Sequence, residues 1–267
     1  MAAQVKLFQV DAFTDSLFGG NPAAVCVLDT WPSKEVLQQI ASENFLPETA
    51  FLVPLEEEDH FDLKWFTPDI EMDLCGHATL ASAHVLFNHL DYKNEKITFH
   101  SNSGELIVTK KDGRIALDFP SRMPVRAVLP ELIERGLGVK PLEVWKARDY
   151  IAVYEHEDII RDFSPVRSIL DQINLDPGGI IITAKGQQED FVSRFFTPQA
   201  SIFEDPVTGS AHCSLIPLWK EKTGKQKMIA RQLSKRGGKL WCEDHGDRVL
   251  ISGEARTFLE GHIDLNL

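Results

Sequence analysis

Two glycine-led junctions hold the residue types that move protons. Asp205 stands four residues before Gly209 in the run Glu204-Asp205-Pro206-Val207-Thr208-Gly209, and His77 directly follows Gly76. A third acid, Glu48, opens the run Glu48-Thr49-Ala50-Phe51 after Pro47. A carboxylate that is partly desolvated near a cleft rises in pKa and becomes a better base at neutral pH. Each residue also has a plain structural reading. Asp205 before Pro206 fits a turn, His77 fits a helix cap, and Glu48 fits an exposed charge at a strand end. The spacing around the two glycines favours chemistry for His77 and Asp205, but nothing local does so for Glu48.

Cys75-Gly76-His77 suggests a thiol nucleophile or base. A symmetric two-thiol racemase would want a second cysteine at the matching junction. Aligning Gly76 with Gly209 puts Thr208 opposite Cys75, and a threonine hydroxyl is no base at neutral pH. A two-base epimerase is therefore disfavoured, and Cys75 and Cys213 read as small packing residues. The chain has no C-x-x-C, H-E-x-x-H, G-x-S-x-G, P-loop or G-x-G-x-x-G motif. No metal and no cofactor are expected.

The elements that must position these residues form a repeat. Phe66-Thr67-Pro68 recurs as Phe196-Thr197-Pro198, and each follows a strand-like run. A glycine and a small-residue helix start follow each: Gly76-His77-Ala78-Thr79 and Gly209-Ser210-Ala211-His212. Such a start presents unpaired backbone N–H groups, which suit a carboxylate or a developing oxyanion. Two like halves facing each other would bring two such starts to one cleft, fit for proton removal beside a carboxylate. Many short strands mixed with few helices predict a largely antiparallel α+β protein. Strands are expected over 5–13, 23–28, 48–53, 61–66, 96–100, 105–110, 115–119, 150–154, 179–183, 191–196, 239–242, 248–252 and 255–260. Helices are expected over 34–42, capped by Ser33, and over 78–90, 131–135 and 210–222. Pro120, Pro124 and Pro130 mark a linker, dividing the chain into halves 1–120 and 121–267.

The 267 residues are long enough for a full core without staples. The formal charge of −12 makes the chain a poor partner for nucleic acid or an anionic membrane. The basic stretch from Lys220 to Arg236 is interrupted by Glu221 and by Gly224, and reads as a solvated face. No signal peptide or run of 18 apolar residues is written at the N-terminus or elsewhere. With four unpaired cysteines, a reducing cytoplasm is the expected address.

The chain resembles the phenazine biosynthesis isomerase (PhzF) family along nearly its whole length. The resemblance is carried by Phe18-Gly19-Gly20-Asn21-Pro22, Glu48-Thr49-Ala50-Phe51, Trp65-Phe66-Thr67-Pro68, Leu74-Cys75-Gly76-His77-Ala78-Thr79 and Glu204-Asp205-Pro206-Val207-Thr208-Gly209-Ser210. It implies a diaminopimelate epimerase-like fold: two pseudo-symmetric α+β domains, each a curved sheet around a central helix. It also implies a cofactor-free isomerase, often a homodimer, acting on an anionic small molecule in the cleft between the domains. By resemblance Glu48 shuttles the proton, and His77 and Asp205 bind and polarise the substrate. Gly76, Gly209 and Ser210 hold its carboxylate. The family commonly carries Ser before the glutamate, where this chain has Pro47, which points to a different substrate. The alternative is a non-catalytic binding or scaffold protein that keeps the fold.

Overall fold

The computed structural model describes residues 3–90, 92–175 and 178–265. In the first part of the chain the elements are β1 (Ala3–Ala12), β2 (Asn21–Val27), α1 (Lys34–Asn44), β3 (Glu48–Pro54), β4 (His60–Phe66), β5 (Glu71–Met72), α2 (Gly76–His89), β6 (Lys96–Ser101), β7 (Gly104–Lys111) and β8 (Arg114–Pro120). There follow β9 (Val125–Arg126), α3 (Glu131–Leu137), β10 (Glu143–Lys146), β11 (Tyr150–Val153), α4 (Glu157–Arg161), α5 (Arg167–Leu170), β12 (Ile180–Lys185) and β13 (Phe191–Phe196). The last are β14 (Glu204–Asp205), α6 (Gly209–Thr223), β15 (Lys227–Gln232), β16 (Gly238–Asp244), β17 (Arg248–Gly253) and β18 (Ala255–Leu265). The fold is α+β, as the strand pattern predicts. Two compact units form, one from residues 1–118 with 252–267 and one from 119–251.

The first unit runs from a long hairpin-like pairing into a mixed ladder. β1 pairs antiparallel with β18 and with β2. β2 then pairs parallel with β3, β3 antiparallel with β4, β4 antiparallel with β5, and β4 parallel with β6. The turn into β2 requires glycine. Gly20 sits at φ +61°, and a Cβ there would lie 2.1 Å from the Ala12 carbonyl oxygen, a clash that only glycine avoids. Ser33 caps α1, its hydroxyl accepting from the Val36 N–H at 3.4 Å. Residues 76–83 of α2 are all buried. A helix buried on every side belongs inside a curved sheet rather than on a flat one, and α2 packs on β1, β2, β3 and β18.

The second unit repeats this order. β11 pairs parallel with β12, β12 antiparallel with β13, β13 antiparallel with β14, and β13 parallel with β15. The buried helix α6 lies between β14 and β15, as α2 lies between β5 and β6. Each repeated Phe-Thr-Pro segment is closed by its threonine N–H at 2.8 Å, Thr67 on the Ile70 carbonyl and Thr197 on the Phe203 carbonyl, the second loop being three residues longer. Pro217 lies inside α6 and has no N–H for the Cys213 carbonyl. The Arg122 N–H takes that carbonyl instead, at 2.9 Å. An apolar cluster of Ile133, Ile160, Leu170, Ile180, Ile182 and Phe196 fills this unit. The stretch read as a solvated basic face is in part a strand. In β15, Met228, Ala230 and Gln232 are buried while Lys227 and Arg231 face out, because a period of two hides three residues between the charges. The four cysteines are free and buried. No helix among the described residues is long and apolar enough to cross a membrane.

Candidate active site

The first unit brings Glu48 and His77 together. The parallel register of β2 and β3 sets Glu48 opposite Ala23 at the strand start, two residues on from Asn21. His77 lies in the first turn of α2, whose N-cap residue is Cys75. Glu48 Oε2 and His77 Nε2 are 3.1 Å apart, with the side chains 14% and 3% exposed. The two atoms make a close polar contact but are out of line for a hydrogen bond. On the other side of the ring, Asn21 Nδ2 is 2.9 Å from His77 Nδ1 and Cys75 Sγ is 3.6 Å from it. An amide can serve either protonation state: its N–H donates to a neutral Nδ1, and its carbonyl oxygen accepts from an imidazolium.

Burial, the largest influence on His77, favours the neutral ring. The Cys75 sulfur and the Glu48 carboxylate oppose it and leave the His77 pKa well above its ordinary value. Burial, with the Glu48 charge adding to it, pushes the Cys75 thiol up to about 11. Cys75 is therefore a thiol near neutral pH and a poor base. Glu48, Cys75 and His77 each offer a donor atom within 4.8 Å of the others. The set does not fit a metal ion as it stands. Glu48 faces Nε2 and Cys75 faces Nδ1, so the sulfur and the carboxylate do not converge on one ring nitrogen.

The second unit holds Asp205, Thr208, Gly209 and Ser210 in one turn. The side chain of Asp205 accepts the Thr208 hydroxyl at 2.5 Å. Thr208 is the N-cap residue of α6, as Cys75 is of α2, so the alignment of those two positions holds in three dimensions. A residue that the motifs do not include organises this turn. The buried Gln232 donates to the Asp205 carbonyl at 2.7 Å and to the Thr208 hydroxyl at 3.1 Å, and it accepts the Thr208 N–H at 2.9 Å. Its only sequence signal was its place on the alternating pattern of β15. Glu204, next to Asp205, is clamped by Arg194 at 2.7 and 2.9 Å.

His212, one turn into α6, shares a hydrogen bond with the Thr208 carbonyl at 2.8 Å through Nδ1. Burial lowers its pKa to about 4, against a smaller opposing pull from that carbonyl. The ring thus stays neutral in the folded protein down to about pH 4, while the unfolded chain takes up the proton below about 6.5. The unfolded state binds more protons inside that window, so stability present above pH 6.5 is lost as pH falls toward 4. Urea unfolding of a His212→Gln protein at pH 8, 6, 5 and 4 is expected to show a shallower loss than the wild type. Equal losses in the two proteins would remove the assignment.

The family described as Phenazine biosynthesis-like protein (PhzC-PhzF) matches residues 10–261. A Pseudomonas aeruginosa protein named as an uncharacterized isomerase is 46% identical over 264 residues, which cover 98% of this chain and 100% of that protein. A crystal structure of a PhzF-family phenazine biosynthesis protein from Enterococcus faecalis is 45% identical with a TM-score of 0.91, covering 98% of this chain and 99% of that one. A hydroxyproline epimerase from Agrobacterium vitis, 11% identical, has a TM-score of 0.65 over 100% of this chain and 95% of its own. That last likeness is one of fold, and it bears out the epimerase-like architecture.

Proposed function

The chain belongs to the phenazine biosynthesis-like (PhzC-PhzF) family, and on that premise we propose that it is a cofactor-independent isomerase of an unsaturated, carboxylate-bearing small molecule. Glu48 takes a proton from an activated carbon, and the C–H bonding pair passes into the conjugated system. The same glutamate returns the proton to another carbon, so no oxidant, reductant or leaving group is needed. His77 steadies the glutamate and the developing charge. Gly76, Gly209 and Ser210 hold the carboxylate through backbone N–H groups and a hydroxyl. Asp205, fixed by Thr208 and by the clamp on its neighbour Glu204, orients the substrate. The observation that carries this reading is the largely buried Glu48 carboxylate 3.1 Å from a buried imidazole nitrogen.

The name isomerase borne by relatives 45–47% identical supports the reaction class. Cytoplasmic residence and a homodimer are part of this proposal. The four free cysteines accord with the first, and sedimentation analysis tests the second. The chemistry is tested by incubating the protein in D₂O with a panel of unsaturated cyclic amino acids and carboxylates. Deuterium entering a ring carbon, followed by NMR, is the expected result. A panel that binds without any exchange would favour a non-catalytic binding protein.

A further inference from the structure

The second unit carries a guanidinium that the motifs do not contain and the roles above do not use. Arg148 precedes β11, and its side chain is 19% exposed. Its Nη2 donates to the Ser210 hydroxyl at 3.1 Å, and its Nε faces Asp149 Oδ1 at 3.3 Å. Asp149 is itself pinned: its Oδ1 accepts the Gly179 N–H at 2.9 Å, and its side chain is 2% exposed. This anchor fixes the guanidinium plane, leaving three of its N–H groups without an acceptor among the described residues.

We propose that Arg148 makes the start of α6 selective for a carboxylate. It does so by turning the Ser210 hydroxyl into an outward donor and by adding its own charge to the same anion. The inference rests on the reading that Gly209 and Ser210 hold the substrate's carboxylate. A hydroxyl has one proton and two lone pairs. With Arg148 donating into a lone pair, the Ser210 proton must point elsewhere, toward a ligand at the helix start. The guanidinium is planar and forked, so the N–H groups that Asp149 and Ser210 leave unused can donate to a carboxylate edge. Arg148 is a positioning residue for Ser210 and a determinant of charge specificity.

The test uses two fluorescent probes of equal shape, 2-aminobenzoate and its neutral amide 2-aminobenzamide. They are titrated into wild type, Arg148→Gln, Arg148→Lys and the charge-balanced double variant Arg148→Gln/Asp149→Asn. The wild type is expected to bind the acid about 10- to 100-fold more tightly than the amide, the range for a hydrogen bond to a charged group. In Arg148→Gln the acid falls to the level of the amide while the amide is unchanged, and Arg148→Lys restores part of the preference. A purely structural role would weaken both probes together. If Arg148→Gln does that, the double variant decides, and parallel loss there overturns the proposal. Equal binding of acid and amide by the wild type, no binding of either, or a preference that survives in both glutamine variants also overturns it. Binding needs no turnover, so the outcome separates from the isomerase reading. A Glu48→Gln protein that stays active would defeat the proton-transfer role and leave the Arg148 assignment standing.

Discussion

A Glu48→Gln protein folds as the wild type does and loses about 10²–10⁴-fold in turnover, the usual worth of a positioned general base. The glutamine keeps the shape of the side chain and still offers His77 Nε2 an oxygen, so packing at the head of β3 is preserved. What it lacks is the capacity to hold a proton and give it back. Binding of a carboxylate ligand is expected to change by much less than the rate, because Glu48 is not among the groups assigned to the carboxylate. Glu48→Asp is a useful companion. It keeps the charge but withdraws it by one methylene, and a displacement of that order can cost about 10²-fold. The measurement is the rate of deuterium exchange and of isomerisation on the same substrate. A glutamine variant within threefold of the wild type would sink the role given to Glu48.

An Arg194→Met protein is expected to lose stability and activity together. Arg194 and Glu204 are 12% and 23% exposed and meet through two parallel hydrogen bonds. Arg194 Nη1 also donates to the Phe163 carbonyl at 2.7 Å and the Ile160 carbonyl at 3.3 Å. Removing the cation alone strands a partly buried carboxylate and two carbonyls, which costs about 2–4 kcal/mol after allowance for the solvent that reaches the pair. Glu204 is paired with Phe196 and Asp205 with Phe195 on the same short ladder. A slack Glu204 therefore loosens Asp205 beside it, with an expected drop in turnover of about 10-fold. An Arg194→Met/Glu204→Met protein removes both charges and is expected to recover most of the stability. The check is the urea midpoint beside kcat for the three proteins. An unchanged midpoint in Arg194→Met would show that the pair carries no load.

Much of this arrangement is legible in the sequence because it is written locally. Ser33 announces α1, and the two Phe-Thr-Pro segments announce equivalent strand-to-helix joints. The parts that are not legible depend on partners far along the chain. The pairing of β18 with β1 joins residues more than 250 positions apart at its outer end, and no local pattern encodes it. Gln232 reads as one polar residue in a basic stretch until the fold sets it against Thr208. Arg148 reads as a surface charge until Ser210 is brought to it, 62 residues later. Glu48 is the instructive case. Its neighbours make an ordinary strand start, and its meaning lies in the parallel register of β2 and β3, which sets it near Asn21 and the ring of His77.

The burial of all four thiols gives the protein an internal reporter of its own opening. Burial raises Cys26 to about 12, Cys213 to about 12 and Cys75 to about 11, and raises Cys242 as well. Alkylating reagents attack the thiolate, so the folded chain is silent toward them. Cys26 and Cys75 belong to one compact unit, and Cys213 and Cys242 to the other. Labelled peptides therefore register each unit separately. In partial denaturant, the order in which the two pairs take up label is the order in which the two halves come apart.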